Sequence, residues 1–473
     1  MKIVIAALCL LTATNSAQGA NSTPTIGKDF IFAYPNVYLD DINPGVLLLV
    51  VVSNNNNIFA NINVTSTYPS FSTFQASVAP FNVIKIPITP VSIEAQYPGY
   101  NMTNNATIVV ENKGIRVQAD VAVAVYAHAE VISGYSADTF LVTPTMLLGT
   151  EYLAITSTFP LLPNMIVVVA NQDNTQIIIG NQTATLNALQ VASIALRATL
   201  SGTRISGNKP FAAVSGGTCS VTLISSDGCS YEAVMLEPVG TWGTQFVAIP
   251  FMYLDTNTNY YQIVTHFNNT VVSAGGTVVA HLNSGIYGEY REILLGSAVI
   301  TSNNPIQVIQ LGQNTNASHS NLGNPFFMKL PSTDKMSNTG VLFQPTGYLE
   351  YDGVHLLFFV RVITNLAGAG TIQMDGNTIS ALQFKRVPNS GFYFYEQITQ
   401  NTTHSVTTTN PATQFFVFSY SYGKYNGCGF VCGYNSPSEN ILRTFPNFKD
   451  DTYIMVKAFR TPPALLPHST RHL

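Results

Sequence analysis

Charge is scarce in this chain. Only 9% of its 473 residues are Asp, Glu, Lys or Arg, and 20 basic against 24 acidic side chains leave a net charge of −4. No basic stripe is present to track a phosphate backbone, and no polybasic cluster to hold an anionic lipid surface. This argues against nucleic acid as a partner and against an electrostatic membrane anchor. Solubility rests instead on Asn, Ser, Thr and Gly, a surface suited to contact-driven or carbohydrate-mediated recognition.

Long apolar runs are missing as well. VLLLVVV (46–52) and LLFFVRVI (356–363) have the length of buried strands and fall far short of the roughly 18 residues of a membrane helix. The tail at 441–473 is interrupted by Lys457, Arg460, prolines and Arg471, so no lipid-anchor tail is expected. At the other end, Lys2, the apolar stretch 3–13 and the small residues Ala17, Gly19 and Ala20 predict a secretory signal peptide over 1–20. The expected location is secreted and extracellular.

Cysteine is sparse too. Cys9 falls in the expected signal peptide, which leaves Cys219, Cys229, Cys428 and Cys432. Two local bridges, Cys219–Cys229 and Cys428–Cys432, are expected, each flanked by glycines. Loops so short stabilise by only about 2–3 kcal/mol apiece, so the bridges fix loops and do not replace a core. Zinc bound by four thiolates is the rival reading; an oxidising compartment and the lack of C-x2-C spacing argue against it.

Catalytic signatures are absent in turn. Ser215 sits in AVSGG, which lacks the first glycine of a nucleophile elbow. None of the eight histidines forms H-E-x-x-H or H-x-H. Asp255, Asn257 and Asn259 open like a calcium loop, but Tyr260 stands where glycine is needed and His266 where Glu is needed. No catalytic residue, metal or cofactor is expected.

What the chain does have is a repeat. DFIFAYP (29–35), DTFLVTP (138–144), EAVMLEP (232–238) and PFFMKLP (325–331) share length and an apolar centre, with Pro35, Pro144, Pro238 and Pro331 spaced 109, 94 and 93 apart and Pro437 following. A second series, NKPFAAVSG (208–216), NNPIQVIQLG (303–312) and NPATQFFVFSY (410–420), keeps step with the first. So do DNTQIIIG (173–180) and NNTVVSAGG (268–276), which place Asn174 against Asn269. Three landmarks in common register predict a tandem array.

The runs between landmarks are rich in β-branched and aromatic residues and bounded by Asn, Gly and Pro, so strands are expected almost throughout. The stretch 186–200 has helical propensity but is assigned to strand by its place in the repeat. A hairpin is expected with its tip near Asp173–Thr175.

A unit near 95 residues has the size of a β-sandwich and exceeds a four-stranded propeller blade. The fold class is therefore all-β: about four sandwich-like repeats packed into one rigid body, with a large propeller-like arrangement as the alternative. The repeat region covers 27–440, in units 29–137, 138–231, 232–324 and 325–440. An N-terminal strand is expected to complete a neighbouring unit.

Eight N-x-S/T sequons, at Asn21, Asn63, Asn101, Asn105, Asn181, Asn268, Asn316 and Asn401, agree with export and predict glycosylation. Trp242, the single tryptophan, lies between Gly240 and Gly243. It is read as a core plug, because Leu148 takes its place in the preceding repeat.

The series VVVANQDNT (167–175), GTRISGNKPFAAVSGGTC (202–219), Cys229 and EPVGTWGTQFV (237–247) resembles the N-terminal domain of the IgG Fc-binding protein family. It shows the same order: an apolar strand and turn, a K-P strand through Pro210, a cysteine pair, and a W-G segment of Pro238, Trp242 and Gly243. The resemblance is densest over 138–250. It implies a secreted, non-enzymatic binding protein, here without the von Willebrand-type repeats found in some relatives. The expected partner is an extracellular protein or glycan met by module loops such as 254–261 and 313–323, with self-association allowed. A structural component of matrix or mucus is the alternative, and a secreted hydrolase the remote one.

Overall fold

The computed structural model describes residues 22–38, 45–97, 104–132, 136–221, 229–252, 259–284, 287–292, 296–313, 323–347, 350–351, 354–423 and 426–437. Among these the secondary structure is strand with a few short 3-10 turns, and no α-helix forms. The stretch with helical propensity is strand over Val191–Leu196. Burial on both faces overrides local preference there.

The second module shows the plan. Its longest strand, Arg204–Ser220, belongs to two half-sheets. The first half pairs with Thr175–Ile179 on one edge and Gly149–Leu153 on the other, and the second half with Asn164–Ala170 and Ser230–Met235. Gln182–Leu186 and Val191–Leu196 extend the two half-sheets. The result is a sandwich folded around one strand. Modules one and three repeat this order around Ile115–Val131 and Ala298–Leu311. In the fourth the long strand is split into His404–Thr408 and Phe415–Gly423. Asn105–Glu111 leaves the first module and pairs with Val191–Leu196 of the second.

The recurrent prolines mark the point where the long strand crosses between half-sheets. Pro210 lies between Gly207, paired with Ile177, and Phe211, paired with Ala170. Pro305 and Pro411 occupy the same gap in the next two modules. Proline has no N–H to give to a ladder, so it fits where pairing is interrupted. A side-chain oxygen supports the crossing. Asn208 Oδ1 accepts from Gln176 N at 2.8 Å, Asn303 Oδ1 from Val271 N at 2.7 Å, and Asp120 Oδ1 from Asn61 N at 2.8 Å.

Each long strand ends by pairing with an inner strand: Ala137–Leu141, Ser230–Met235, Phe327–Leu330 or Asn426–Gly433. These four pack one against the next in a closed circle, so the array is a ring. Ser22–Pro24 pairs with Asn435–Pro437, which joins the N-terminal end to the last module. Read by sheet membership, an inner strand closes the sandwich before it rather than opening the one after. The apolar core is continuous across the seams. One cluster joins modules one and two, another modules two and three, and a third modules three, four and one.

Two expectations need correction. The segment 29–35 is not an inner strand. Gly27–Phe32 pairs with the first half of its long strand, in the position of Gly149–Leu153. The run 30–37 is buried at every position, as the inner strands are, so the apolar runs look alike. The N-terminal counterpart of Pro144 is Pro24, in STPTIG (22–27) against VTPTMLLG (142–149). The hairpin near Asp173–Thr175 does not form either: Asn164–Ala170 and Thr175–Ile179 follow one another along the same edge of the long strand. Asn174 and Asn269 do match, both left-handed at φ 53° and 55°.

Candidate functional site

The W-G motif builds a module junction. After Pro144 and Pro238 the chain makes 3-10 turns over Thr145–Leu147 and Val239–Thr241, and Thr333–Lys335 follows Pro331 by one more residue. The residue closing each turn is Leu148, Trp242 or Met336, and all three are buried. Trp242 Nε1 donates to Glu237 O at 3.0 Å, so the indole fills the core with its one polar atom satisfied. Gly243 is required by close approach, since a Cβ there would lie 2.3 Å from Ser332 Oγ. Gly216 is tighter still, where a Cβ would sit 1.8 Å from Glu232 O on the adjoining inner strand. Pro210, Pro238, Trp242 and Gly243 therefore serve crossing and packing, and they are not brought together into a site.

The ring centre holds a feature that sequence reading missed. Asp138 is fully buried. Its Oδ1 accepts from Thr139 N at 2.7 Å, and its Oδ2 from Ala233 N at 2.9 Å and Phe327 N at 3.0 Å. The backbone N–H of Gly429 is a fourth donor. One carboxyl thus ties all four inner strands. Burial pushes its pKa well up, and the four N–H groups pull against that rise. Neighbouring Glu232 is pushed up by burial and by the Asp138 charge.

Other ionisable groups are engaged in structural pairs. Lys335 bonds Glu237, and Lys329 Nζ lies 3.8 Å from the same carboxyl, with both ammonium groups over the Tyr434 ring. Burial pushes Glu237 up, but the two ammonium groups prevail and hold it below its ordinary range. Burial lowers Lys329 to about 8. His128 Nδ1 lies 2.8 Å from Thr139 Oγ1 and its Nε2 2.9 Å from Glu130. His404 Nδ1 lies 2.7 Å from Asp375. Ser215 Oγ donates to Ile155 O at 2.5 Å from a fully buried position.

Cys219 and Cys229 are joined, with Cα atoms 5.0 Å apart. The expected Cys428–Cys432 bridge is overturned, because both are free, buried thiols on the inner strand Asn426–Gly433. Four residues of extended chain separate their Cα atoms by about 13 Å, beyond the reach of a disulfide. The bridge requires CGFVC to be a loop, and it is strand. Cys428 Sγ donates to Thr346 O at 3.3 Å, and burial pushes its thiol up to about 11. Native protein should leave both thiols unreacted toward a thiol-titrating reagent at neutral pH, with both reacting after denaturation. Prompt reaction of either in the native state would contradict their burial.

Of the sequons, Asn181 and Asn268 are exposed, and Asn63, Asn105 and Asn401 are half-buried. Asn21, Asn101 and Asn316 lie outside the described residues, as do the expected signal peptide, the tail from 441, the calcium-like Asp255 and Asn257, and most of the loops 254–261 and 313–323.

One described loop does present apolar side chains to solvent. Ile58 and Phe59 are 54% and 59% exposed, and Phe81 on the adjacent turn is 59% exposed. The loop is fixed from within. Asn54 Nδ2 donates to Ile58 O at 2.8 Å and also reaches Val78 O and Ala79 O, while Phe81 N donates to Asn56 O at 3.2 Å.

A model of the IgGFc binding protein family matches residues 138–421. The chain belongs to this family. The match starts at the inner strand of Asp138 and takes in modules two, three and most of four. The first module lies outside it yet has the same sheet order. The family is one of binding proteins. The disulfide accords with its extracellular setting, and no helix among the described residues is long and apolar enough to cross a membrane. No curated protein matches the chain. Among solved structures, Thermotoga maritima 1070 is 12% identical, covering 24% of this chain and 92% of its own, with a TM-score of 0.17. A tetra-tandem repeat from the extending region of a large adhesion protein is 11% identical, covering 80% of this chain and 92% of its own, at a TM-score of 0.09. At those scores neither likeness carries an argument.

Proposed function

We propose that the chain is a secreted, glycosylated, non-enzymatic binding protein that captures an extracellular glycoprotein or glycan through the loops of its modules. In this reading the signal peptide at 1–20 is removed, and sequons such as Asn181 and Asn268 carry glycans. The observation that carries the reading is the loop holding Ile58 and Phe59 beside Phe81. It exposes apolar side chains while an internal asparagine network keeps it rigid. Exposed apolar groups on a preorganised loop cost solvation in the free protein and favour contact with a partner. The engagement of His128, His404, Ser215 and Glu237 in structural contacts supports binding over chemistry. The test is a glycan array and an extracellular-protein pull-down with the secreted, enzymatically deglycosylated chain, run beside an esterase, glycosidase and protease panel. Saturable capture without turnover is expected. Turnover in the panel, or no capture at all, would overturn the reading.

A further inference from the structure

A cleft opens at the seam where module four meets module one, next to the strand pair that closes the ring. Its internal space is about 160 Å³. A cavity of about 150 Å³ takes one six-membered ring, so the cleft is on the scale of a single small ring. No Asp, Glu, Lys, Arg or His lines it among the described residues, while hydroxyls and amides line it from both modules.

The walls are held in place. Ser53 Oγ donates to Leu342 O at 2.5 Å and Asn55 Nδ2 to Gly340 O at 2.9 Å, so module one is pinned to module four along the mouth. Asn56 Nδ2 donates to Asn54 Oδ1 at 2.8 Å and Ala122 O at 2.7 Å. Asn55 and Thr339, on opposite walls, are both exposed. Asn435 Oδ1, on a third lining residue, is buried with no hydrogen-bond partner. Phe415 and Tyr434 supply the aromatic side chains of the lining.

We propose that this cleft binds a single uncharged sugar residue of a glycan. A neutral polyhydroxylated ring needs what is present: amide and hydroxyl partners at fixed positions, no charged side chain in the lining to desolvate, and apolar and aromatic wall residues such as Leu342, Phe415 and Tyr434 for its apolar side. Pinned walls keep the ordering cost low. The proposal rests on the binding reading above and gives it a location and a ligand class.

The test is saturation-transfer NMR on the full secreted chain with methyl glycosides of glucose, galactose, mannose and N-acetylglucosamine, in the millimolar range. At least one glycoside is expected to bind, and Thr339→Trp, which fills the mouth from an exposed position, to abolish the signal at an unchanged melting temperature. Thr339→Val and Asn55→Ala should each weaken binding about tenfold, the loss of one good hydrogen bond, and they carry the test if the tryptophan variant fails to fold. The cleft assignment is overturned if no glycoside binds or if the variants bind like wild type. It is also overturned if the cleft variants lose capture of an uncharged peptide library while no glycoside binds. Glycoprotein capture that survives every cleft variant would sink this assignment and leave the binding reading standing.

Discussion

Replacing Asp138 by Ala is expected to cost about 3–5 kcal/mol of stability, enough to unfold much of the protein. The substitution leaves buried N–H groups of Ala233, Phe327 and Gly429, on three other strands, with no acceptor. Each buried donor left unpaired costs about 1–3 kcal/mol. Asp138→Asn should fall between wild type and Asp138→Ala, because its carbonyl oxygen still accepts while its amide N–H2 faces N–H groups. Urea unfolding followed by tryptophan fluorescence and far-ultraviolet dichroism measures the loss as a shift in midpoint at unchanged slope. An Asp138→Ala midpoint within about 1 kcal/mol of wild type would show that the inner strands do not depend on their shared carboxyl.

Arg361→Ala should be comparably damaging, by about 3–5 kcal/mol. Arg361 is buried where the third and fourth modules meet. Its Nε donates to Glu396 Oε1 at 2.9 Å, one terminal nitrogen to Gln310 Oε1 at 3.2 Å, and the other to Pro250 O at 2.7 Å. The guanidinium also lies 5.2 Å from each of the Phe251 and Tyr420 rings. Truncation removes the stacking, leaves the buried Glu396 carboxylate with the Tyr420 hydroxyl but no cation, and strands two further acceptors. Arg361→Lys should recover little, since an ammonium cannot reproduce the planar fork. Arg361→Met with Glu396→Gln should recover most of the loss, because that pair keeps volume and removes the unpaired charge. If the double variant is no better than Arg361→Ala, the loss is one of shape and not of charge.

The repeat was legible because equal spacing of Pro144, Pro238 and Pro331, and of Asn174 and Asn269, reflects equal strand lengths. Strand character was legible from β-branched runs, and the packing role of Trp242 from Leu148 in the same register. The role of 29–35 was not, because an opening strand and an inner strand bury the same kind of run. The state of Cys428 and Cys432 turned on whether CGFVC is loop or strand, and that was decided by pairing with Phe415–Gly423. Asp138 could be seen only as an acidic residue opening a repeat, since three of its four partners are backbone groups about 95 or more residues away. The seam cleft joins the first module to the last, a contact that exists only because the ring closes.

Binding through loops on an independent scaffold is tested most directly by comparing capture with stability. The relevant variants are Ile58→Ser with Phe59→Ser and Phe81→Ser, and Gly/Ser replacements of 254–261 and 313–323. At least one of these should reduce capture of the array or pull-down ligand about tenfold or more, while secretion and melting temperature stay near wild type. Undiminished capture by all of them, or losses of capture that track losses of stability, would contradict the account.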